Sequence, residues 1–234
     1  SREIKAFEIY EPKNEEQARN CKDAGKWIDA EISELEELCL GTQSFRLLRK
    51  SDAKRKKVIS TKMVYKIKSD GDGVITKYKA RFCARGFQQV YQLDFWESRS
   101  TVTDYSTVRT LFSIAAEDDL RASTIDIKNA FVSAELPESE KMLLSLPKNI
   151  HIVCNRSAEL AKFFRYHELK NELQEEYVLE AQTALYGFHQ SGLRFGQKLQ
   201  GSLKSNGFRQ VITDECCYRK EGNMEDVVDV TMET

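Results

Sequence analysis

Apolar positions near the start of the chain follow a helical rhythm. Trp27, Ile28, Ile32, Leu35, Leu38 and Cys39 fall on one side of a 3.6-residue repeat. Asn14-Glu15-Glu16-Gln17 has the N-cap and position-three Gln of a capping box, and Gly41 is a stop signal. The spacing predicts helices across about 14–40, acidic outside and apolar inside, with the Trp27 stripe in the core. The rhythm then changes to two. Met63, Tyr65 and Ile67 alternate with Lys62, Lys66 and Lys68; Val74, Thr76, Tyr78, Ala80 and Phe82 alternate with Ile75, Lys77, Lys79, Arg81 and Cys83. Asp70-Gly71-Asp72-Gly73 lies between, and Asp-Gly supplies the positive φ of a tight turn. Residues 58–68 and 74–85 are therefore expected to form a hairpin with one apolar and one basic face. A calcium loop at the turn lacks the later Glu.

Asp104 or Ser106 is a cap for a helix running to about Asp119, with Val108, Leu111, Phe112 and Ala115 on its buried side. The β-branched run Thr124-Ile125-Asp126-Ile127 predicts a strand ending at Asp126, then a short helix from about Lys128. Pro137 and Pro147 bracket a polar connection. Residues 148–176 are charged and irregular, with helical hints at 158–173, and read as an insertion or a mobile segment. A helix follows Ser191, with Leu193, Leu199 and Leu203 inward and Asn206-Gly207 ending it. Residues 216–219 and 227–230 read as short strands.

At 234 residues, 41% hydrophobic and 31% charged, the chain can bury a core in one or two domains. No run is long enough to span a bilayer, and no apolar signal segment begins the sequence. The six Cys form no C-x-x-C pair, so reduced thiols in an intracellular protein are the simple expectation. A net charge of −1 argues against a general polyanion binder, but the charge is segregated. Residues 46–89 carry 14 Lys/Arg against 3 Asp, while the preceding 45 residues carry 6 basic and 11 acidic groups. Such a basic module either supplies phosphate contacts or is a solvated face. Asp126, where its strand runs out, either caps the following helix or holds a metal ion.

Three blocks bear on that choice. Tyr78-Lys79-Ala80-Arg81-Phe82-Cys83-Ala84-Arg85-Gly86-Phe87-Gln88-Gln89 resembles the Y-K-A-R-L-V-A-R-G-F-x-Q block of copia-type retrotransposon reverse transcriptases. Asp126 to Phe131 is similar to that family's D-V-K-T-A-F, and Ala184-Leu185-Tyr186-Gly187-Phe188-His189-Gln190-Ser191 to its A-L-Y-G-L-K-Q-S. The resemblance runs from about Trp27 to the end.

It implies an α+β fold, the fingers and a partial palm of a right-hand polymerase, with an antiparallel sheet and helices on one face. Residues 1–45 would be an acidic helical lead-in, 46–105 the basic fingers hairpin, and 106–234 a partial palm. The implied reaction is template-directed DNA synthesis with two magnesium ions, on an RNA or DNA primer–template with deoxynucleotide triphosphates. Hard magnesium ions prefer carboxylate, carbonyl, water and phosphate oxygens. By motif position Asp126 and Asp229 are the catalytic, metal-binding carboxylates, and Ile127 offers a backbone carbonyl. Lys79, Arg81, Phe131, Tyr186 and Gly187 would contact nucleotide or template, with Lys62, Lys66, Lys68 and Lys77 completing the basic face. Phe131 would crowd a ribose 2′-hydroxyl, or else packs under the Asp strand.

The chain also departs from the family. Val227-Val228-Asp229-Val230 stands at Y-V-D-D, so the second Asp is Val230 and the Tyr is Val227. Glu225 and Asp226 occupy apolar strand positions. His189 replaces a Lys, Gly192 a Pro, and Phe195-Gly196 an aromatic pair. The expectation is a C-terminally truncated, partly degenerate domain whose catalysis is weak or lost. The alternatives are a non-catalytic nucleic-acid-binding remnant of a decayed retroelement, or a remnant with no activity.

Overall fold

The computed structural model describes residues 11–53, 57–100, 102–220 and, for the backbone alone, 227–229. The order is α1 (Glu15–Asn20), α2 (Ala24–Glu36), a π-helical turn (Glu37–Gly41), β1 (Phe45–Arg49), β2 (Val58–Ile59), β3 (Thr61–Ser69) and β4 (Ile75–Ala84). Then come α3 (Tyr105–Glu117), β5 (Leu143–Leu144), α4 (Ile150–Arg156), α5 (Ala158–Phe163), α6 (Tyr166–Leu169), α7 (Leu173–Glu176) and β6 (Tyr177–Ala181). The chain continues through α8 (Ser191–Ser205), β7 (Phe208–Val211), β8 (Asp214–Lys220) and β9 (Val227–Asp229). The architecture is α+β. One sheet has the order β1-β6-β5-β2, with the β2–β5 pair parallel and its other pairs antiparallel. The others, β3-β4 and β7-β8-β9, are antiparallel. No helix of the described residues is long and apolar enough to cross a membrane.

The lead-in is helical as its spacing predicts. Asn14 Oδ1 accepts from Gln17 N–H at 2.9 Å, and Gln17 Oε1 accepts from Lys13 N–H, one residue short of a full capping box. Trp27 is fully buried, edge-on to both Tyr65 and Tyr78. Beside it Glu31, 2% exposed, accepts from Arg19 and from the Tyr65 hydroxyl. A carboxylate taken from water needs such partners, and these tie α1, α2 and β3 together. The segment 150–176 folds as four short helices whose Ile150, Leu160, Phe164 and Leu173 enter the same core as Trp27 and Phe82.

The β3–β4 hairpin has the expected faces. Thr61, Met63, Tyr65, Ile67, Ala80, Phe82 and Ala84 are buried. At the turn Asp70 Oδ1 accepts from the N–H groups of Asp72 and Val74, and Gly73 alone takes a left-handed φ of 79°. A two-stranded ribbon leaves outward N–H groups on both edges, and side chains satisfy several of them. Glu11 Oε1 accepts from Ile67 N–H at 2.8 Å, and Glu15 accepts from Met63 N–H. On the other edge Glu34 Oε1 accepts from Phe82 N–H at 3.1 Å, and Tyr186 O from Ala84 N–H at 2.9 Å.

Several expectations fail, the reading of 148–176 as a mobile segment among them. Residues 121–127 are not a strand: no described strand takes up their backbone groups, and Ile125 is 82% exposed. β-propensity without a neighbouring strand does not make a sheet. A further failure is the buried side of α3. Its cap is as expected, Asp104 Oδ1 accepting from Ser106 N–H at 3.0 Å, but the helix buries no residue and Phe112 is 61% exposed. Val108, Leu111 and Ala115 are only half-buried. In α8 the deeply buried apolar side chain is Phe195, with Leu193, Leu199 and Leu203 half-buried.

Candidate nucleic-acid interface

The register of the hairpin assembles the basic face. Lys66 lies opposite Lys79, Lys68 opposite Lys77, Val64 opposite Arg81, and Lys62 opposite Cys83. Like charges directly opposite cost stability, and a polyanion on that face would offset the cost. Lys79 is held below the ordinary lysine range, first by partial burial and then by Arg81 and Lys68.

Arg81 leads to the second group. Its guanidinium lies over the Tyr186 ring at 5.5 Å, and its Nε is buried without a hydrogen-bond partner among the described residues. Tyr186 stands edge-on to Phe131, with ring centroids 5.6 Å apart, and Phe131 edge-on to Phe195 at 6.4 Å. Burial is the main cause that raises the Tyr186 phenol, while Arg81 opposes it. Phe131 opens a short 3-10 turn. The loop before it turns at Asn129, whose φ is 57° and whose Nδ2 donates to Glu37 Oε1 at 2.7 Å. Arg81, Phe131 and Tyr186 are thus brought together from three distant stretches of chain.

Gly187 makes this possible. Its φ is +96°, and a Cβ there would lie 2.0 Å from the Ala84 carbonyl oxygen. A Cβ on Gly86 would meet the Gly187 carbonyl oxygen at 1.8 Å. Farther along, Gln89 Nε2 donates to Gln190 Oε1, and Gln89 Oε1 accepts from His189 N–H, both at 2.9 Å. The His189 ring stacks on Phe95 at 4.8 Å.

The candidate metal ligands stand on separate stretches of chain. Asp126 is exposed in the unpaired 121–127 segment, beside the part-exposed Ile127. Asp229 lies on β9 opposite Cys217, in a sheet that does not include residues 121–127. Val230, Glu225 and Asp226 lie outside the described residues. Among the described residues no three His, Cys, Asp or Glu converge as a metal site. Val230 stands where the resemblance calls for a second carboxylate, and its side chain has no oxygen to offer a hard cation.

Sequence reasoning missed Glu11 and Glu34, which reach the ribbon from the lead-in, and the Gln89–Gln190 bridge. The excess of acidic residues ahead of a basic module is the one signal that pointed to the former.

A family profile described as "Reverse transcriptase (RNA-dependent DNA polymerase)" matches residues 43–233. The chain is similar to the retrovirus-related Pol polyprotein from transposon TNT 1-94 of Nicotiana tabacum, 28% identical over 167 residues, covering 71% of this chain and 11% of that protein. It is similar also to the retrovirus-related Pol polyprotein from transposon RE2 of Arabidopsis thaliana, 23% identical over 161 residues, covering 69% and 10%. A third relative, the uncharacterized mitochondrial protein AtMg00820 of Arabidopsis thaliana, is 35% identical over 60 residues, covering 26% of this chain and 35% of that protein. The chain spans about a tenth of the length of the Pol polyproteins it matches. No solved structure matches it.

Proposed function

The chain belongs to the reverse transcriptase (RNA-dependent DNA polymerase) family, and from that premise we propose that it supplies the fingers and part of the palm of a transposon polymerase. The β3–β4 ribbon is its phosphate-binding surface, for an RNA or DNA primer–template and an incoming deoxynucleotide triphosphate. Residues 1–45 are the acidic lead-in, 46–105 contain the ribbon, and 106–234 form the partial palm. Work on such a substrate would take place inside the cell, in cytoplasm or nucleus.

The observation that carries this reading is the meeting of Arg81, Tyr186 and Phe131 beside five further aligned cationic positions. The cations attract phosphate and release counterions. The rings offer flat apolar surface to a base or sugar. Gly187 lets the backbone approach closely at the same place. Asp126, the Ile127 carbonyl and Asp229 are the candidate magnesium ligands. Because the residue after Asp229 is Val230, nucleotidyl transfer by this chain is weak or absent.

The test is primer extension on an RNA template with magnesium or manganese, alongside binding of the same duplex. Little extension is expected. Binding should weaken with salt, and by about tenfold in a Lys79→Ala/Arg81→Ala variant. Robust extension that disappears in Asp126→Ala would refute the loss of catalysis; binding indifferent to salt and to the ribbon cations would refute the interface. The exposed, unpaired segment around Asp126 favours a second reading, a non-catalytic nucleic-acid-binding remnant of a decayed retroelement. It predicts duplex binding unchanged by Asp126→Ala, with no extension under any metal.

A further inference from the structure

Each edge of the basic ribbon carries a glutamate from the lead-in that does two things at once. On the β3 edge, Glu11 Oε1 takes the Ile67 N–H while Oε2 pairs with Lys66 Nζ at 3.1 Å. On the β4 edge, Glu34 Oε1 takes the Phe82 N–H. There it interacts electrostatically with Lys79 and with Arg81, the cation that lies over Tyr186. The backbone bonds fix both carboxylates, so their charges stay with the ribbon instead of swinging into solvent. A side chain needed only to cover an N–H group would serve as well without a charge, since an amide oxygen accepts the same bond. The charge is also costly at the β4 edge, where burial, the largest effect, raises the Glu34 carboxyl above its ordinary value.

We propose that Glu11 and Glu34 are a built-in charge brake on the ribbon, two anchored anions that offset its cations and weaken its hold on a polynucleotide. The proposal rests on the reading that the ribbon binds phosphate. A surface that binds a polynucleotide reversibly must also release it, and an unopposed ribbon of six cations would hold it too firmly at low salt. Glu11 tempers Lys66; Glu34 tempers Lys79 and Arg81.

The experiment measures the affinity of the full chain for a fluorescein-labelled DNA primer annealed to an RNA template. At about 50 mM salt, Glu34→Gln should bind roughly three- to tenfold tighter than the natural chain, with the gain shrinking at about 300 mM. Glu34→Asp keeps the charge and should bind like the natural chain. The gain should vanish when Glu34→Gln is combined with Lys79→Ala/Arg81→Ala. Glu11→Gln reads the same brake at the other edge and serves if Glu34→Gln does not fold. Unchanged or weaker binding in the folded Gln variants overturns the brake, provided Lys79→Ala/Arg81→Ala still weakens binding. An affinity gain in Glu34→Asp equal to that in Glu34→Gln also overturns it, since a variant that keeps the charge would then behave like one that lacks it. If Lys79→Ala/Arg81→Ala binds as well as the natural chain, the phosphate-binding reading itself fails, and the brake with it.

Discussion

Glu140 receives the Arg194 guanidinium two-handed: Nε donates to one carboxylate oxygen at 2.9 Å and Nη2 to the other. Glu140 is 2% exposed, so this fork pins α8 to the turn that leads into β5. Removing Arg194 leaves the Glu140 carboxylate buried without its counterion. Arg194→Met should therefore cost about 3–5 kcal/mol in urea unfolding, and a Glu140→Leu/Arg194→Met pair clearly less than that. Equal losses in the single and double variants would show that the fork is not the source.

Gly187 has no room for even a methyl group. Its φ of +96° and the 2.0 Å approach to the Ala84 carbonyl oxygen act in the same direction. Gly187→Ala should lose about 3 kcal/mol or more, and it should disturb Arg81 and Tyr186 along with the backbone. Tyrosine fluorescence and chemical denaturation would report the two effects separately. A stable Gly187→Ala protein with native spectra would mean the two blocks do not interlock as described.

The segment around Asp126 contributes little to the folded state of the isolated chain. Ile125→Ser should change stability by no more than about 0.5 kcal/mol. By contrast, Phe82→Ala, at a fully buried position edge-on to Phe45, should cost about 3–5 kcal/mol. A large loss in Ile125→Ser would reveal a partner for residues 121–127.

Two carboxylates should give opposite pH signatures. For Asp214, burial raises the pKa, but hydrogen bonds from Cys216 N–H, Thr107 and Asp104 N–H outweigh it, and the net shift is downward from 3.8. Its stabilisation is present above 3.8 and lost as pH falls through the lower folded value. Asp214→Asn should therefore melt earlier than the natural chain at pH 7, with the gap closing in acid. Glu34 is shifted upward from 4.5, mainly by burial. Its contribution is favourable below 4.5 and lost as pH rises through the folded value. Glu34→Gln should melt at or above the natural chain at pH 7, with no advantage below pH 4.5. Thermal melts across this range settle both signs.

Much of the hairpin was legible because a period of two writes its faces directly into the sequence, lysines against Met63, Tyr65 and Ile67. The lead-in helices were legible for the same kind of reason. Glu31 was not: it interrupts the Trp27 stripe as an acid, and only the fold shows that Arg19 and Tyr65 come to meet it. Residues 124–127 misled because β-branching states a preference, while a strand also requires a neighbour. At the candidate site, motif resemblance pointed to Arg81, Phe131 and Tyr186 individually. Their meeting depends on the contact of Gly86 with Gly187, about a hundred positions apart, which local spacing does not encode. Asp126 and Asp229 are named by resemblance alone.

The family profile begins at residue 43, but Trp27, Leu35 and Leu38 share one core with Phe45 and Phe82. A recombinant fragment cut at that boundary would strip the indole from between Tyr65 and Tyr78 and leave unclaimed amides along both sides of a bare two-stranded sheet. Such a fragment should clump by strand-to-strand stacking between molecules. The stretch ahead of the profile completes a core that it shares with the family region.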